Sequence, residues 1–287
     1  MKIVYTSDLH GIENLYHDLH RLVIRQEARI LIIGGDMLPK HGPLDAIVQD
    51  QRRFITGFLT QWLTTLRSQA PDLLIYTMFG NDDCSCNMDA LEDLESQGLI
   101  ALLHGKSHSL GKEGYKIAGF ANCPPTPFSL KDWERRDTLS APLEPQHWKA
   151  CISSRDKGLI EIDADTYFNE LPSIEEELER LFFDVFEASL ERTIFVSHAP
   201  PHGCGIDTLY DGRPAGSRAI RRFIEKQKPL VALHGHIHEA PAISGTYATK
   251  LGETLCINPG QSPERLHAVV FQAEELENSL EHTVFGK

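Results

Sequence analysis

The sequence lacks any apolar run that approaches the roughly 20 residues of a membrane-spanning helix. It also lacks the pattern of a secretory signal peptide, because Met1-Lys2 leads directly into the strand-like run Ile3-Val4-Tyr5. We therefore expect a cytoplasmic protein that makes no membrane contact and whose six cysteines remain free thiols. No internal repeat or low-complexity tract is present, and we expect one domain over residues 1–287.

A surplus of basic residues is also missing. The formal net charge is −13, and residues 161–191 alone hold eleven acidic side chains and one arginine. An acidic surface repels nucleic-acid polymers, because such polymers are bound mainly through lysine and arginine contacts to phosphates. The charge balance therefore argues against a nucleic-acid polymer as a partner.

What the chain does contain is an alternation of strand-like and helix-like patterns, which predicts an α/β layered fold. The predicted strands are residues 3–6, 30–33, 73–79, 100–103, 115–120, 193–196, 230–233, 254–257 and 267–271. Helical spacing of apolar residues is present in 12–26, in the segment up to 68, in 90–96, from Ser173 onward and in 217–226. Residues 123–172 are rich in proline and show no sustained period, which predicts an irregular insertion that could act as a lid.

Five short polar clusters each follow an apolar run. They are Asp8-Leu9-His10, Gly35-Asp36, Gly80-Asn81-Asp82-Asp83, Ser197-His198 and Gly235-His236-Ile237-His238. Ligands of open α/β sheets bind beyond the carboxyl ends of the strands, which is where these clusters are expected. A lone buried histidine is more often a hydrogen-bonded core residue, but five such clusters together indicate a metal centre. Their seven oxygen and nitrogen ligands are enough for two divalent cations that share one carboxylate, the arrangement used for hydrolysis at phosphorus.

The order Asp-x-His, Gly-Asp, Gly-Asn, His, Gly-His-x-His resembles the calcineurin-like metallophosphoesterase superfamily. The spacing of these residues fits that pattern. Asp36 follows Asp8 by 28 residues, Asn81 follows Asp36 by 45, His198 follows Asn81 by 117, and His236 follows His198 by 38. The insertion lengthens the third of these intervals. Asn258-Pro259-Gly260 is similar to a turn of the family. Within the superfamily the chain looks closest to bacterial and archaeal phosphoesterases related to cyclic-nucleotide phosphodiesterases. The resemblance implies a four-layer α/β/β/α sandwich of two mixed sheets with outer helices.

The resemblance also implies roles for the seven ligands. It assigns three of them to a first metal ion: Asp8, His10 and His238. It assigns three to a second ion: Asn81, His198 and His236. Asp36 would bridge the two ions, which would be Mn²⁺, Fe or Zn²⁺. The expected reaction is in-line attack on a phosphoester by a hydroxide that bridges the metals.

One position departs from the family pattern. The family has Gly-Asn-His-Asp/Glu, whose histidine protonates the leaving oxygen, whereas this chain has Asp82 there. An ordinary aspartate is ionised at pH 7 and cannot donate a proton. Three alternatives follow: burial or a neighbouring carboxylate raises the pKa of Asp82; His202 or a metal-bound water supplies the proton; or the leaving group needs no acid. We favour the last two together.

The expected function is therefore hydrolysis of a small phosphoester, with a phosphodiester preferred over a monoester. The missing histidine keeps open an alternative, a metal-binding scaffold or interaction protein that retains the fold without turnover. A protein phosphatase or a nuclease is a third alternative, and the charge balance weighs against the nuclease. The arginines between the two histidine clusters could grip a phosphate or simply solvate the helix at 217–226; they are Arg213, Arg218, Arg221 and Arg222.

Overall fold

The computed structural model describes residues 1–40, 46–111, 114–143, 149–186 and 190–286. Its strands are β1 (Lys2–Thr6), β2 (Ile30–Ile33), β3 (Leu74–Thr77), β4 (Ala101–Leu102), β5 (Ser107–Leu110), β6 (Tyr115–Phe120), β7 (Cys151–Ser154), β8 (Gly158–Glu161), β9 (Thr193–Ser197), β10 (Val231–Leu233), β11 (Ala248–Leu251), β12 (Thr254–Ile257), β13 (Val269–Gln272) and β14 (Glu281–His282). Its helices are α1 (Glu13–Gln26), α2 (Ile47–Phe54), α3 (Thr60–Gln69), α4 (Met88–Ser96), α5 (Ala164–Glu170), α6 (Ile174–Leu181), α7 (Arg218–Gln227), α8 (Ala240–Ser244) and α9 (Leu276–Ser279). Single π-helical segments join α2 to α3 and extend α6.

Two six-stranded mixed sheets carry the architecture. The first has the strand order β14-β13-β1-β2-β3-β4, and its strands β1 to β4 are parallel. The second has the order β11-β12-β10-β9-β6-β5, with β12, β10, β9 and β6 parallel. Antiparallel strands lie at the edges of both sheets.

Side chains of the two sheets meet in one apolar core. Ile32 of β2 and Val196 of β9 belong to the same buried cluster, as do Leu15 of α1 and Trp62 of α3. Alternate residues of the second sheet point the other way, because successive side chains of a strand face opposite sides. Phe195 therefore packs in a separate cluster with residues of α6 and α7. This arrangement of helices outside two sheets confirms the fold expected from the resemblance.

Most long periodic segments were predicted correctly, with small shifts at their ends. Strands β2, β6 and β12 have the predicted bounds. The capping box at Ser173 is present, since Glu176 N–H donates to Ser173 Oγ at 3.3 Å and Ser173 N–H donates to Glu176 Oε2 at 2.9 Å. Within the described ranges no helix combines the length and apolar character that crossing a bilayer would require.

The predicted insertion at 123–172 contains regular structure, although its residues 144–148 lie outside the described ranges. It holds the hairpin β7-β8 and helix α5. Trp133 Nε1 donates to the carbonyl of Asp83 at 2.9 Å, and Asp132 accepts from the N–H of Ser85 at 2.7 Å. These bonds fix the segment to the loop after β3. With its hairpin and helix, the segment is more regular than its sequence pattern predicts.

A fully buried ion pair lies at the start of this segment. Lys131 Nζ lies 2.9 Å from Glu134 Oε2, and neither side chain is exposed. Both groups also hold the backbone of Thr126: Lys131 Nζ donates to its carbonyl at 2.8 Å, and its N–H donates to Glu134 at 2.9 Å. A buried charge without a partner is costly, so each member of this pair requires the other.

We predict that Lys131→Met lowers the free energy of unfolding by about 3–5 kcal/mol, because it leaves Glu134 buried without a counter-charge. The double variant Lys131→Met/Glu134→Gln should recover most of that loss, since glutamine can still accept from Thr126. Urea unfolding of the three proteins measures both values. Equal stability of the single variant and the wild type would contradict the prediction.

Candidate metal centre

All five polar clusters lie in loops at the carboxyl ends of parallel strands. Asp8 and His10 follow β1, Asp36 follows β2 and Asn81 follows β3, all in the first sheet. The histidine clusters follow β9 and β10 of the second sheet. The seven predicted ligands therefore come together where the corresponding edges of the two sheets meet.

Four of these ligands form one compact group. Donor atoms of Asp8, His10, Asp36 and His238 all lie within 4.8 Å of one another. His238 Nε2 is 3.2 Å from Asp8 Oδ1 and 3.1 Å from His10 Nε2. Three of the four are buried and His238 is partly buried, so the group is shielded from bulk water.

The remaining three ligands form a second group. Asn81 Oδ1 lies 3.0 Å from His198 Nε2 and 2.6 Å from His236 Nδ1. The amide of Asn81 donates through Nδ2 to Asp82 Oδ1 at 3.0 Å, which leaves its oxygen directed at the histidines. An amide oxygen and two imidazole nitrogens are suitable ligands for a divalent transition metal.

Asp36 connects the two groups through a single oxygen. Its Oδ2 lies 3.9 Å from His10 Nε2 and 3.5 Å from His198 Nε2. Its other oxygen, Oδ1, accepts the N–H of Asp82 at 2.8 Å, which fixes the orientation of the carboxylate.

Four of the predicted ligands adopt a left-handed backbone, which non-glycine residues rarely do. The φ angles are 60° at Asp8, 45° at His10, 48° at Asp36 and 67° at His236. Backbone strain of this kind persists where the surrounding structure enforces it, and it concentrates at functional sites. The backbone therefore supports the assignment of these residues to a site.

Two motif glycines make room for ligand side chains. A Cβ atom at Gly80 would lie 2.3 Å from Asp36 Oδ1 and 2.6 Å from His198 Cε1. A Cβ atom at Gly235 would lie 2.3 Å from Asp8 Oδ2. These distances are too short for nonbonded atoms, which explains why glycine precedes Asn81 and His236.

Without a metal ion, histidine side chains balance the negative charges of Asp8 and Asp36. Burial by itself raises the pKa of Asp8 and Asp36, but nearby His238 and His198 outweigh it and hold both pKa values below the usual range. For His198, burial lowers the pKa, and the Asp36 charge overcomes that effect and raises the pKa to about 10. Burial lowers the pKa of both His10 and His236 to about 3, so these two rings are neutral, as metal ligands must be.

Two backbone contacts orient the predicted ligands. His198 Nδ1 lies 3.0 Å from the carbonyl of Gly34, and a proton donated there orients the ring so that Nε2 faces Asn81 and Asp36. The N–H of His236 donates to both oxygens of Asp8, at 3.1 and 3.0 Å. The convergent carboxylates, neutral imidazoles and amide oxygen fit divalent cations of the Mn²⁺, Fe or Zn²⁺ type.

Asp82, the residue at the departure from the family pattern, lies beside this group and contacts Lys40. Lys40 Nζ is 3.2 Å from Asp82 Oδ2 and 3.0 Å from His10 Nε2. Burial, followed by the charge of Asp36, raises the pKa of Asp82 to about 6. Sequence reasoning missed Lys40, which lies four residues after Asp36 in the same loop and belongs to no motif.

The neighbouring Asp83 has a structural role. Its carboxylate accepts the N–H groups of Met37, Leu38 and Gly80 at 3.2, 2.9 and 2.9 Å. It therefore holds the loop after β2 against the loop after β3, and with them Asp36 against Asn81.

Other candidates have partners elsewhere. His202 Nδ1 lies 4.0 Å from Asp207 Oδ2, and its carbonyl accepts from Arg221 at 2.8 Å. Of the arginines, Arg221 pairs with Glu225, Arg222 with Glu175 and Arg213 with Asp211. The catalytic role of His202 stays a prediction, and these three arginines make ion pairs on the surface.

A cavity of about 410 Å³ opens onto the ligands, within the size range of small-molecule sites. Its polar lining is formed by Asp36, Lys40, Asn81, Asp82, Thr126, His236, His238 and Glu239. Its apolar lining is formed by Pro124, Pro125, Pro127, Phe128, Leu209, Tyr210, Ala215 and Ile237. The predicted insertion thus supplies one side of the cavity.

The fold and the ligand set define a metal-dependent phosphoesterase. The family model for calcineurin-like phosphoesterases matches residues 1–240, and the chain belongs to that family. One solved crystal structure aligns at 16% identity over 99% of both chains with a TM-score of 0.67. The protein TT1561 of Thermus thermophilus aligns at 14% identity, over 99% of this chain and 98% of its own, with a TM-score of 0.59.

A dimetal phosphatase from Danio rerio aligns at 11% identity, over 94% of this chain and 91% of its own, with a TM-score of 0.51. At these identities the alignments support the fold alone. No curated protein shows significant similarity to the chain.

We predict that Gly80→Ala lowers the free energy of unfolding by about 1–3 kcal/mol, because the new methyl group overlaps Asp36 and His198. It should also abolish the increase in Tm that Mn²⁺ gives the wild type by binding the folded state. Gly57→Ala is the matched control, since nothing lies within 4 Å of its added Cβ. An unchanged Mn²⁺ response in Gly80→Ala would contradict the prediction.

Proposed function

We propose that this protein is a binuclear metal-dependent hydrolase of a small phosphoester, with a phosphodiester preferred. The position of Asp36 Oδ2 between His10 and His198 carries the proposal, because a carboxylate there can serve two ions at once. Asp8, His10 and His238 would hold one ion, and the second would be held by the remaining three ligands: Asn81, His198 and His236. When bound, two such ions lower the pKa of water and neutralise the charge of phosphoryl oxygens.

Lys40 supplies a further positive charge at the cavity. Its side chain is 31% exposed and is held by Asp82, so the ammonium group faces both the ligands and the cavity. An ammonium group in this position binds a phosphoryl oxygen or the departing ester oxygen through charge-assisted hydrogen bonds. Lys40 therefore stabilises negative charge where the family pattern has a histidine that donates a proton.

Cavity size and charge restrict the substrate class. A cavity of about 410 Å³ accepts a small ester. The net charge of −13 disfavours nucleic-acid polymers. The preference for a phosphodiester over a monoester stays a prediction. The relationship to cyclic-nucleotide phosphodiesterases stays a prediction.

We expect the purified protein to bind two Mn²⁺ ions per chain and then to hydrolyse bis-p-nitrophenyl phosphate. Asp36→Asn should weaken the binding of both ions, because they share this carboxylate. Asp211→Asn is the control, since Asp211 is an exposed carboxylate paired with Arg213. Calorimetric titration and metal analysis measure the stoichiometry. A single ion per chain would overturn the binuclear centre, and two ions without turnover would favour the scaffold alternative.

We expect the rate at pH 7 to fall steeply as the pKa of the leaving group rises. Asp82, with a pKa of about 6, is mostly ionised at that pH, so Lys40 stabilises the charge of the departing oxygen without a protonated acid beside it. Lys40→Met should lower kcat/KM by about 100-fold, as does the loss of one oxyanion donor in other enzymes. Asp82 is tested by two variants. Asp82→Asn should leave the slope of the logarithm of the rate against leaving-group pKa unchanged, whereas Asp82→His should make that slope flatter. Turnover of a series of nitrophenyl and alkyl phosphoesters gives the slopes.

Lys106→Met is the matched control, because Lys106 pairs with Glu95 and does not line the cavity. A flat dependence in the wild type that becomes steep in Asp82→Asn would identify Asp82 as the proton donor and contradict this role for Lys40.

A further inference from the structure

Two exposed aromatic rings lie at the rim of the cavity. The side chains of Phe128 and Tyr210 are 56% and 78% exposed, whereas Asp36 and Asn81 in the same cavity are 1% and 3% exposed. Among the described residues neither ring stacks on another aromatic side chain. Large apolar side chains gathered at the rim of a polar site commonly mark a place where a ligand binds.

The loop of Phe128 is fixed by the buried ion pair of Lys131 and Glu134. Both the carbonyl and the N–H of Thr126 are bonded to this pair, and the N–H of Phe128 donates to Thr126 Oγ1 at 3.2 Å. Proline residues on both sides of Thr126 further restrict the backbone. The ring of Phe128 is therefore presented from a preorganised support.

The loop of Tyr210 is built around a second buried carboxylate. Asp207 is not exposed, and it accepts the N–H groups of Gly203 and Gly216 at 2.7 and 3.0 Å. The N–H of Tyr210 donates to Glu239 Oε1 at 3.3 Å, and Glu239 follows the metal ligand His238 directly. This ring is thus connected to the same loop that carries the ligands.

We propose that Phe128 and Tyr210 form a binding site for an aromatic ester group, so that the substrate is a phosphoester of an aromatic alcohol. The proposal rests on the proposed function, because the phosphoryl group of the same molecule would lie at the metal ligands. An aromatic ring gains dispersion and quadrupole contacts from two such side chains, and preorganised loops reduce the entropy lost on binding.

The size of the cavity agrees with this occupant. A volume of about 410 Å³ holds a phosphoryl group and one ring system. The apolar residues beside the rings, including Leu209 and three prolines, offer no charged partner to a polar alcohol. An aromatic ester group loses less solvation against these apolar side chains than a charged or strongly hydrated ester group does.

Phenylphosphonate and methylphosphonate separate this inference from catalysis, because neither is hydrolysed and both present the same phosphonate group. We expect the Mn²⁺-loaded wild-type protein to bind phenylphosphonate about ten-fold more tightly than methylphosphonate, the size of one aromatic stacking contact. Isothermal titration calorimetry with each compound measures the ratio of the two dissociation constants.

Phe128→Ala and Tyr210→Ala should each reduce this ratio to about three-fold or less, mainly by weakening the binding of phenylphosphonate. Tyr210→Phe keeps the ring and should keep the ratio. Phe183→Ala is the matched control, because Phe183 is 79% exposed and does not line the cavity.

Equal affinity of the wild type for the two compounds would overturn the aromatic site while leaving the phosphoester site intact. Failure of both compounds to bind, while bis-p-nitrophenyl phosphate is still hydrolysed, would overturn this inference alone. Failure of both to bind together with no hydrolysis of bis-p-nitrophenyl phosphate would overturn the proposed phosphoester site and this inference with it. An equal loss of the ratio in Phe183→Ala would show that the two rings at the rim are not responsible.

Discussion

The structure depends on burying two carboxylates, Asp8 and Asp36, beside each other at the meeting edges of two sheets. Isolated buried carboxylates are very costly, so this arrangement exists only with positive charge between them. In the protein alone, a proton on His198 supplies part of that charge, and nearby carboxylates raise the pKa of both His198 and His238 against the effect of burial. Divalent cations supply it more strongly and would displace those protons, which makes ion binding a completion of the fold at this edge.

The close placement of Asp8 and Asp36 explains both the left-handed backbone at the strand ends and the glycines at positions 80 and 235. The left-handed backbone at Asp8, His10, Asp36 and His236 turns the chain sharply at the strand ends, so that the side chains project into one space. Gly80 and Gly235 are small because Asp36 and Asp8 occupy the space a Cβ would need. Strain in the loops is therefore compensated by the apolar core beneath them, where β1, β2, β9 and β10 are buried.

The sequence was sufficient to predict the strands that carry the site, because Ile30–Ile33 and similar runs are buried on both faces and therefore continuous in hydrophobicity. The ligands follow those runs directly and are recognisable by residue type. Lys40 and Tyr210 could not be found in this way, because their positions depend on how distant loops pack. The hairpin β7-β8 was missed for a related reason: apart from the exposed Glu161, its residues are all partly buried and show no alternation.

The replacement of a histidine by Asp82 and the aromatic rim are two parts of one chemical argument. An ionised carboxylate paired with Lys40 cannot donate the proton that a departing alkoxide needs. The conjugate acid of an alkoxide resembles water, whose pKa is near 15.7. A phenol-like alcohol has a pKa of about 10, so its anion leaves with far less help from an acid. Aromatic alcohols are also the ones that Phe128 and Tyr210 would bind. A site that selects an aromatic ester group thus selects the leaving groups for which the missing histidine matters least.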